Sequence, residues 1–399
     1  MGQVAAIDFG EREFLKLVNR YGVEEIDQHM EELVQYTEDL TRKAISRMPD
    51  GSWTFSDQID NDGFQEEPIT IVANLTKKDD EIFVDFTGTS PQVKGSIQPV
   101  FATTQSVVYA VVKTVLSTIS TDIPNTAGYL KAITVTAPEG CFLNPVSPAP
   151  VAARSLGLRR MSHALFGAFA QMLPGQVPAC SGGCEYGAAI AGYDKTKNPW
   201  KPWVSMDFAN ETAVGGRDGH DGADSQNAGI TNIANVPVET MEMEFPVRIE
   251  EYGVVTDSEG AGQYRGGLGM ARQYRFLEDD TTVQVRSDRM KSAPYGISGG
   301  ESSRKSRIVI NSGGKDQDMS SKFMVTMNKG DTMRIEWPGA GGWGDPLKRD
   351  PSRVLHDILE ERISIGRAHD KYGVVVDPKN QTIDSAATEK LRESLRQKN

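Results

Sequence analysis

The sequence predicts an α+β fold: N-terminal helices and a mixed α/β part, then a β-rich, sandwich- or barrel-like C-terminal half and a terminal helix. Two observations predict it. Apolar residues recur at helical spacing in several stretches before residue 175, and from about residue 235 they form short runs between glycine-rich turns. Because 399 residues exceed one ordinary core, we expect separate units. These are a mixed α/β domain at 1–235, a β-rich domain at 236–350 and a helical tail at 351–399.

The N-terminal part is expected to combine helices with a β-hairpin. A helical pattern covers 11–48, is interrupted at Gly22 and is stopped by the Pro-Asp-Gly turn at 49–51. Two β-rich stretches, 69–75 and 82–86, are joined by a polar loop, which is typical of a hairpin. A valine-rich helix, a strand and an amphipathic helix are then expected at 102–119, 131–136 and 158–172.

The C-terminal half is expected to consist mostly of strands. Short apolar runs lie at 241–249, 270–276, 281–286, 307–310, 323–327 and 332–337. The turn at 338–346 is expected to pack backbone closely against backbone, with Trp343 as its anchor. One more helix is expected at 352–366, and the polar stretch from about residue 378 is expected to fray or to pack late.

Charge and composition argue against several classes of protein. The net charge of −12 disfavours nucleic acid or an anionic membrane as the main partner. No stretch approaches the roughly 20 apolar residues of a membrane span, and the first residues lack a signal core, so we expect a cytoplasmic protein. Cys141, Cys180 and Cys184 fit reduced thiols, and no second Cys/His pair accompanies the last two to make a zinc site.

The densest polar cluster is the segment from Arg217 to Asp224. It holds three carboxylates and one histidine, separated by glycines that allow the chain to fold back. Such close carboxylates need a cation, hydrogen bonds or an arginine, for which Arg217 is the nearest candidate. As a functional loop near an active centre it makes Asp218, His220 and Asp221 candidate catalytic residues, with His220 as a proton carrier, and Arg217 a candidate substrate-binding residue. The alternative is a tight turn in which aspartates cap their own backbone.

Other catalytic motifs are missing from the sequence. It contains no HExxH, no GxSxG and no phosphate-binding loop, and the glycine-rich stretch at 260–269 is interpreted as a hairpin turn. We therefore find no ATP-binding signature on this chain. Arg159 and Arg160, at the start of the expected helix at 158–172, can present guanidinium groups to a carboxylate or phosphate, and Arg160 is a candidate substrate-binding residue. Surface ion pairing is the alternative.

Several motifs, taken in order, resemble those of one family. They are 84–96, 137–140 with Asn144-Pro145, Arg217-Asp218-Gly219, 235–239, 260–262 with 265–267, Ser287-Asp288-Arg289 and 338–346. This collinear set resembles the hydantoinase B/oxoprolinase family from residue 11 to about residue 376. No single motif is specific, but their shared order is.

The resemblance implies one subunit of an ATP-dependent enzyme that opens cyclic amides such as hydantoins or 5-oxoproline. Related members carboxylate ketones such as acetone or acetophenone. In both, phosphorylation activates a carbonyl or enol oxygen, and water or bicarbonate then attacks. The resemblance places ATP and Mg²⁺ on an actin-like partner, the hydantoinase-A-type subunit, so a hetero-oligomer is expected.

Two departures from the family pattern bear on the site. Members usually begin with a further N-terminal segment that carries His/Asp metal-binding motifs, and nothing here matches it. The divalent metal, zinc or manganese, is therefore expected on a segment absent from this chain, which a separate polypeptide can supply. At 155–159 the chain has Ser-Leu-Gly-Leu-Arg where many amide-cleaving members have an Asn-x-Glu-x-Ser-Gln-like stretch, whereas Arg160 matches an arginine of another branch.

Three functions remain open at this point. The first is a subunit of a cyclic-amide hydrolase, and the second is a subunit of a ketone carboxylase with the same architecture. The third is a non-catalytic module that organises partner subunits, which the absent metal motif favours. The sequence does not identify the substrate.

Overall fold

The computed structural model describes residues 1–183, 187–208, 213–226, 230 and 233–397. Within these ranges no helix is both long and apolar enough to cross a membrane. The architecture is mixed α and β, which confirms the predicted fold class.

Two long helices open the chain. α1 spans Gly2–Tyr21 and α2 spans Val23–Ile45, and Gly22 between them has a φ of 88°, which glycine adopts easily. The predicted helix with a break at Gly22 is confirmed. α1 buries none of its residues, whereas α2 buries side chains of its C-terminal half. Only the second helix is therefore anchored in the core of this chain.

The first sheet has four strands in the order β1-β2-β3-β4. The strands are β1 (Gly51–Ile59), β2 (Ile69–Lys78), β3 (Glu81–Asp85) and β4 (Ile133–Thr136). The hairpin predicted from two β-rich stretches is β2–β3, paired antiparallel, and β4 joins β3 in parallel. β1 was not predicted, because Asp57 interrupts the inward-facing series of Trp53, Phe55 and Ile59.

Helices cover this sheet. They are α3 (Phe101–Leu116), the 3₁₀ helix Ala127–Ala132 and α4 (Ser155–Met172). The predicted helices at 102–119 and 158–172 correspond to α3 and α4. One apolar core joins these helices to the sheet and to the end of α2. α4 is the most deeply buried of them, so side chains that it carries face other elements rather than solvent.

The C-terminal half contains two sheets that share a second apolar core. One has the order β11-β10-β13-β8-β7 and the other β12-β9-β5-β6. The strands are β5 (Gly187–Asp194), β6 (Lys201–Phe208), β7 (Val247–Val254), β8 (Met270–Phe276), β9 (Thr281–Arg286), β10 (Arg307–Ser312), β11 (Lys315–Asp318), β12 (Lys322–Met327) and β13 (Thr332–Glu336). Of the two predicted arrangements, these described strands form a sandwich. The predicted boundary at residue 235 stays a prediction, although β5 from before it pairs with β9 from after it.

One predicted strand is wrong in its first half. The run at 241–249 begins inside a short helix, α5 (Val238–Glu244), and β7 starts only at Val247. Pro237 precedes the helix, and the alternating methionines and glutamates that follow are good helix formers. Their alternation resembles the apolar–polar pattern of a strand, which explains the error.

The C-terminal tail is more ordered than the sequence predicts. The helix expected at 352–366 is two helices, α6 (Pro351–Leu359) and α7 (Ile365–Tyr372), followed by the short strands β14 (Val376–Asp377) and β15 (Thr382–Ile383). Of the two alternatives for the stretch from about residue 378, fraying is wrong, because α8 (Ser385–Arg396) follows, and late packing stays a prediction. Asp384 caps α8, and Arg392 donates hydrogen bonds to the carbonyls of Tyr372 and Arg349.

The glycine-rich turns pack backbone against backbone, as predicted for 338–346. A Cβ on Gly266 would lie 1.8 Å from the carbonyl oxygen of Ala340, and one on Gly341 would lie 1.9 Å from that of Tyr295. Trp343 exchanges backbone hydrogen bonds with Tyr264, and their rings are 5.7 Å apart. Only glycine permits this approach, and it fixes the platform on which the 217–224 segment lies.

The contact between α4 and β1 depends on a glycine, and we predict that Gly167→Ala destabilises the protein by about 1–3 kcal/mol. A Cβ at Gly167 would lie 2.4 Å from the ring of Phe55, whereas one at Gly10 in α1 has no atom within 4 Å. Gly10→Ala is therefore the matched control and should leave stability unchanged or raise it by up to about 1 kcal/mol. Urea unfolding midpoints measure both. Equal midpoints for the two variants would contradict this packing.

Candidate functional site

The 217–224 segment is held by backbone hydrogen bonds to the glycine platform. The amide of Gly222 donates to the carbonyl of Arg265, and that of Gly216 donates to Gly341. A tight turn closes between Arg217 and His220, whose backbones exchange hydrogen bonds, with Gly219 at a φ of 78°. The segment is thus both a tight turn and a loop fixed to the rest of the fold.

The predicted catalytic residues divide into exposed and inward-facing groups. Arg217, Asp218 and His220 are exposed on the turn, whereas Asp221 and Asp224 are partly buried. Arg217 is the nearest predicted partner for these carboxylates. The structure corrects this, because the arginines that bind them are distant in sequence and Arg217 makes no ion pair within the described residues.

Two buried arginines bind the inward-facing carboxylates. Arg349 donates to both oxygens of Asp221 at 2.6 and 2.9 Å, and also to Asp357 at 2.6 Å. Arg265 donates to Asp224 at 2.7 Å and to Asp357 at 3.1 Å. Each carboxylate is therefore held by charge-assisted hydrogen bonds, which are stronger than those between neutral groups.

Burial and arginine contacts act in opposite directions on Asp221. Burial raises the pKa of its carboxyl, but hydrogen bonds from Arg349 and the charges of Arg265 and Arg353 outweigh that effect and hold the pKa below its usual value. The backbone amide of Arg265 donates to the same carboxylate at 3.0 Å. With its oxygens so occupied, Asp221 is a poor proton acceptor in this arrangement and a good anchor for Arg349.

A pocket of about 410 Å³ opens beside these ion pairs. Its walls are dominated by basic side chains from α6 and its neighbours. The lining residues are Asp221, Arg265, Arg349, Ser352, Arg353, His356, Asp357 and Arg362. Chemically, such a wall suits an anion rather than a cation.

Arg160 lies in a second, fully buried cluster. Its guanidinium is 1% exposed and donates to Asp57 of β1 at 3.2 Å and to Asp288, which follows β9. Arg289 donates to both oxygens of Asp57 at 3.0 and 2.8 Å. The surface ion pair considered for Arg160 is in fact a buried one, and its substrate-binding role stays a prediction.

His163, one turn further along α4, is neutral in this cluster. Burial and the charge of Arg160 lower its pKa to about 3. A guanidinium can only donate, so the contact of Arg289 Nη2 at 3.1 Å makes His163 Nδ1 the acceptor. The proton then lies on Nε2, which donates to Ser181 Oγ at 2.8 Å. His163 in this state cannot accept the proton of Ser181, so the pair is not an activated nucleophile.

One set of potential metal ligands lies in the same cluster. Oxygen, nitrogen and sulfur atoms of Asp57, His163 and Cys180 lie within 4.8 Å of one another. Arg289 Nη2 is 2.8 Å from Asp57, 3.1 Å from His163 and 3.1 Å from Cys180 Sγ, so a guanidinium already fills the position between them. The donor set as arranged therefore does not fit a divalent metal. The CxxxC partner, Cys184, is outside the described residues.

Sequence reasoning missed most of this buried cluster. Asp57 lies in the undetected strand β1, and the position of His163 on a predicted helix favours a surface or packing role. The available signal was the Ser287-Asp288-Arg289 motif, which the resemblance included without a role. Two residues of that motif supply an acceptor and a donor to the cluster.

Comparison with known proteins identifies the class. The hydantoinase B/oxoprolinase family model matches residues 1–346, and the chain belongs to that family. The B-type subunit of a putative D-/L-hydantoinase from Pseudomonas sp. (strain NS671) is 32% identical over 401 residues, which covers 98% of this chain and 66% of the relative. The chain spans about two thirds of the length of the first curated relatives it matches.

Two solved structures are similar in fold. The ATP-dependent caprolactamase from Pseudomonas jessenii has a TM-score of 0.86 at 26% identity, covering 98% of this chain and 68% of that one. A nucleotide-free acetone carboxylase has a TM-score of 0.82 at 17% identity, covering 96% of this chain and 57% of that one. The second likeness shows the fold alone.

The neutral His163 makes stability depend on pH. Because its folded pKa of about 3 lies below the unfolded 6.5, the unfolded state binds more protons between these values. We predict that His163 lowers stability as pH falls from 6.5, by up to about 1.4 kcal/mol per unit. Asp60, whose pKa burial and Asp288 raise to about 6, acts in the opposite sense between pH 3.8 and 6.

The His163→Gln variant isolates this contribution, since glutamine keeps one donor and one acceptor. Denaturant unfolding at pH 7, 5.5 and 4.5 should give a shallower pH slope for the variant than for the wild type. His369→Gln, at an exposed histidine, controls for the histidine count of the unfolded chain. Parallel slopes for wild type and His163→Gln would show that His163 is not held neutral.

Proposed function

We propose that the chain is a subunit of an ATP-dependent cyclic-amide hydrolase of the hydantoinase/oxoprolinase type, acting with a separate ATP-binding hydantoinase-A-like subunit. The family match over residues 1–346 carries the proposal. The sequence contains no phosphate-binding loop, which supports placing ATP and Mg²⁺ on the partner. The divalent metal, zinc or manganese, would belong to a segment outside this chain.

A ketone carboxylase subunit is the second candidate. The departure at 155–159 favours it, because this stretch differs from that of many amide-cleaving members while Arg160 matches another branch. In both reactions ATP would activate an oxygen, and only the attacking group would differ. A non-catalytic assembly module is the third candidate, favoured by the buried ion pairs that occupy Arg160 and Asp221.

Within the proposed enzyme, the 217–224 segment faces the active centre or a partner subunit. Asp218 and His220 are exposed on the turn, so they are available to a substrate or partner, and Arg217 lies beside them as the proposed substrate-binding group. Asp221 supports the turn by anchoring it to Arg349. Arg160 would act on a substrate only through the buried cluster, by holding Asp57 and Asp288.

Activity of the assembled complex tests the proposal. The chain coexpressed with its hydantoinase-A-like ATPase should hydrolyse ATP when a hydantoin, 5-oxoproline or caprolactam is added, without bicarbonate. Dependence on acetone together with bicarbonate would instead establish the carboxylase. The chain alone should give no ATP signal in calorimetry. An assembled complex whose ATP hydrolysis responds to none of these compounds would favour the non-catalytic assembly module.

Aspartate variants separate a catalytic loop from a structural turn. Asp218→Asn should lower turnover of the complex at least about tenfold and change stability by less than about 0.5 kcal/mol, because its side chain is exposed. Asp221→Asn should also lower turnover, but with a stability loss of about 2–4 kcal/mol, since buried Arg349 loses its counter-ion. Exposed Asp316→Asn is the control. Full turnover in Asp218→Asn would make the segment structural.

A further inference from the structure

The basic pocket beside α6 has more positive charge than its own carboxylates neutralise. Four guanidiniums line it, and the carboxylates that contact them, among the residues the structure describes, belong to Asp221, Asp224 and Asp357. These direct contacts leave one formal positive charge, with Asp350 acting on Arg353 and Arg349 from farther away, while the chain as a whole carries −12. A local excess of positive charge in a concave, partly desolvated wall attracts anions.

The four arginines have different amounts of hydrogen-bonding capacity left. Arg265 and Arg349 are buried, and carboxylates and backbone carbonyls take most of their donors. Arg353 has a side chain that is 43% exposed and, within the described part of the chain, one ion pair, to Asp221 at 3.2 Å. Arg362 is 29% exposed and makes longer contacts, 3.3 Å to Asp224 and 3.7 Å to Asp357. Because a guanidinium has five N–H donors, both retain donors for a ligand.

Arg353 is also held in place before any ligand arrives. The guanidinium of Arg353 lies 5.7 Å from the ring centre of Tyr264, and the same arginine pairs with Asp221, so two contacts orient it. His356 lies one turn along α6, on the same side of the helix, and also lines the pocket. A ligand therefore meets donors whose side-chain entropy is already reduced, which favours binding.

We propose that this pocket binds a small oxyanion, a carboxylate or a phosphate group, between Arg353 and Arg362. The guanidinium fork matches both groups, because each presents paired oxygens to two N–H donors. The volume of about 410 Å³ accommodates a small organic anion as well as the isolated ion. The site requires neither the proposed enzyme activity nor a partner subunit, so it is testable on the purified chain.

Titration calorimetry with inorganic phosphate and, separately, with acetate tests the site at constant ionic strength. One equivalent of at least one anion should bind, and its affinity should fall as sodium chloride increases. Arg353→Gln and Arg362→Gln should each weaken binding about tenfold or more, since each removes a charge-assisted donor. The anion that binds more tightly identifies whether the natural ligand carries a phosphate or a carboxylate group.

Arg307→Gln is the matched control, because Arg307 is a similarly exposed arginine whose partner, Asp318, lies on the distant β11 edge. It should bind as the wild type does. Thermal unfolding of all variants checks that the pocket is intact, and Arg353 is exposed enough to be replaced without unfolding the chain. Absence of saturable binding of both anions overturns the proposal, as does equal affinity in the wild type and the two pocket variants.

Discussion

A buried ion network around Arg160 and Arg289 joins the N-terminal sheet to the β-rich half of the chain. Asp57 comes from β1 and Arg160 from α4, and Asp288 and Arg289 follow β9, so the contacts link residues up to 232 positions apart. Removing one partner of such a pair leaves an uncompensated charge, which costs about 3–5 kcal/mol. The network therefore fixes where α4 lies against the second half. His163 is neutral because its burial there and the charge of Arg160 lower its pKa.

The need of buried charges for ion partners also organises the candidate site. Arg265 and Arg349 lie beneath the 217–224 segment, and each binds two carboxylates, one of which, Asp357, they share. Asp357 belongs to α6, so the ion pairs attach this helix to the segment and create the basic pocket between them. Glycine is also required at position 222, because a Cβ there would lie 1.9 Å from the carbonyl oxygen of Val214.

Membership of the hydantoinase B/oxoprolinase family gives these features a context. The chain matches about two thirds of the length of the first curated relatives. Its described residues supply a rigid platform, an exposed turn with Asp218 and His220, and a pocket whose walls suit an anion. This division is consistent with the proposed chemistry, in which ATP and the divalent metal would be held by further polypeptide.

The order of motifs along the chain indicated the family. Local pattern alone determined most of the helices, the β2–β3 hairpin, most of the short strands after residue 270 and the glycine turns. These depend on periodicity and turn chemistry, which neighbouring residues carry. Of the strands in the three larger sheets, β1, β5, β6 and β11 were not predicted from the sequence. Only the tertiary structure decided that Asp221 binds Arg349 rather than Arg217, and that Arg160 is buried against Asp288. The members of each of these two pairs are 128 positions apart in the sequence. Such ion pairs depend on which elements the fold brings into contact, and local pattern carries no information about that.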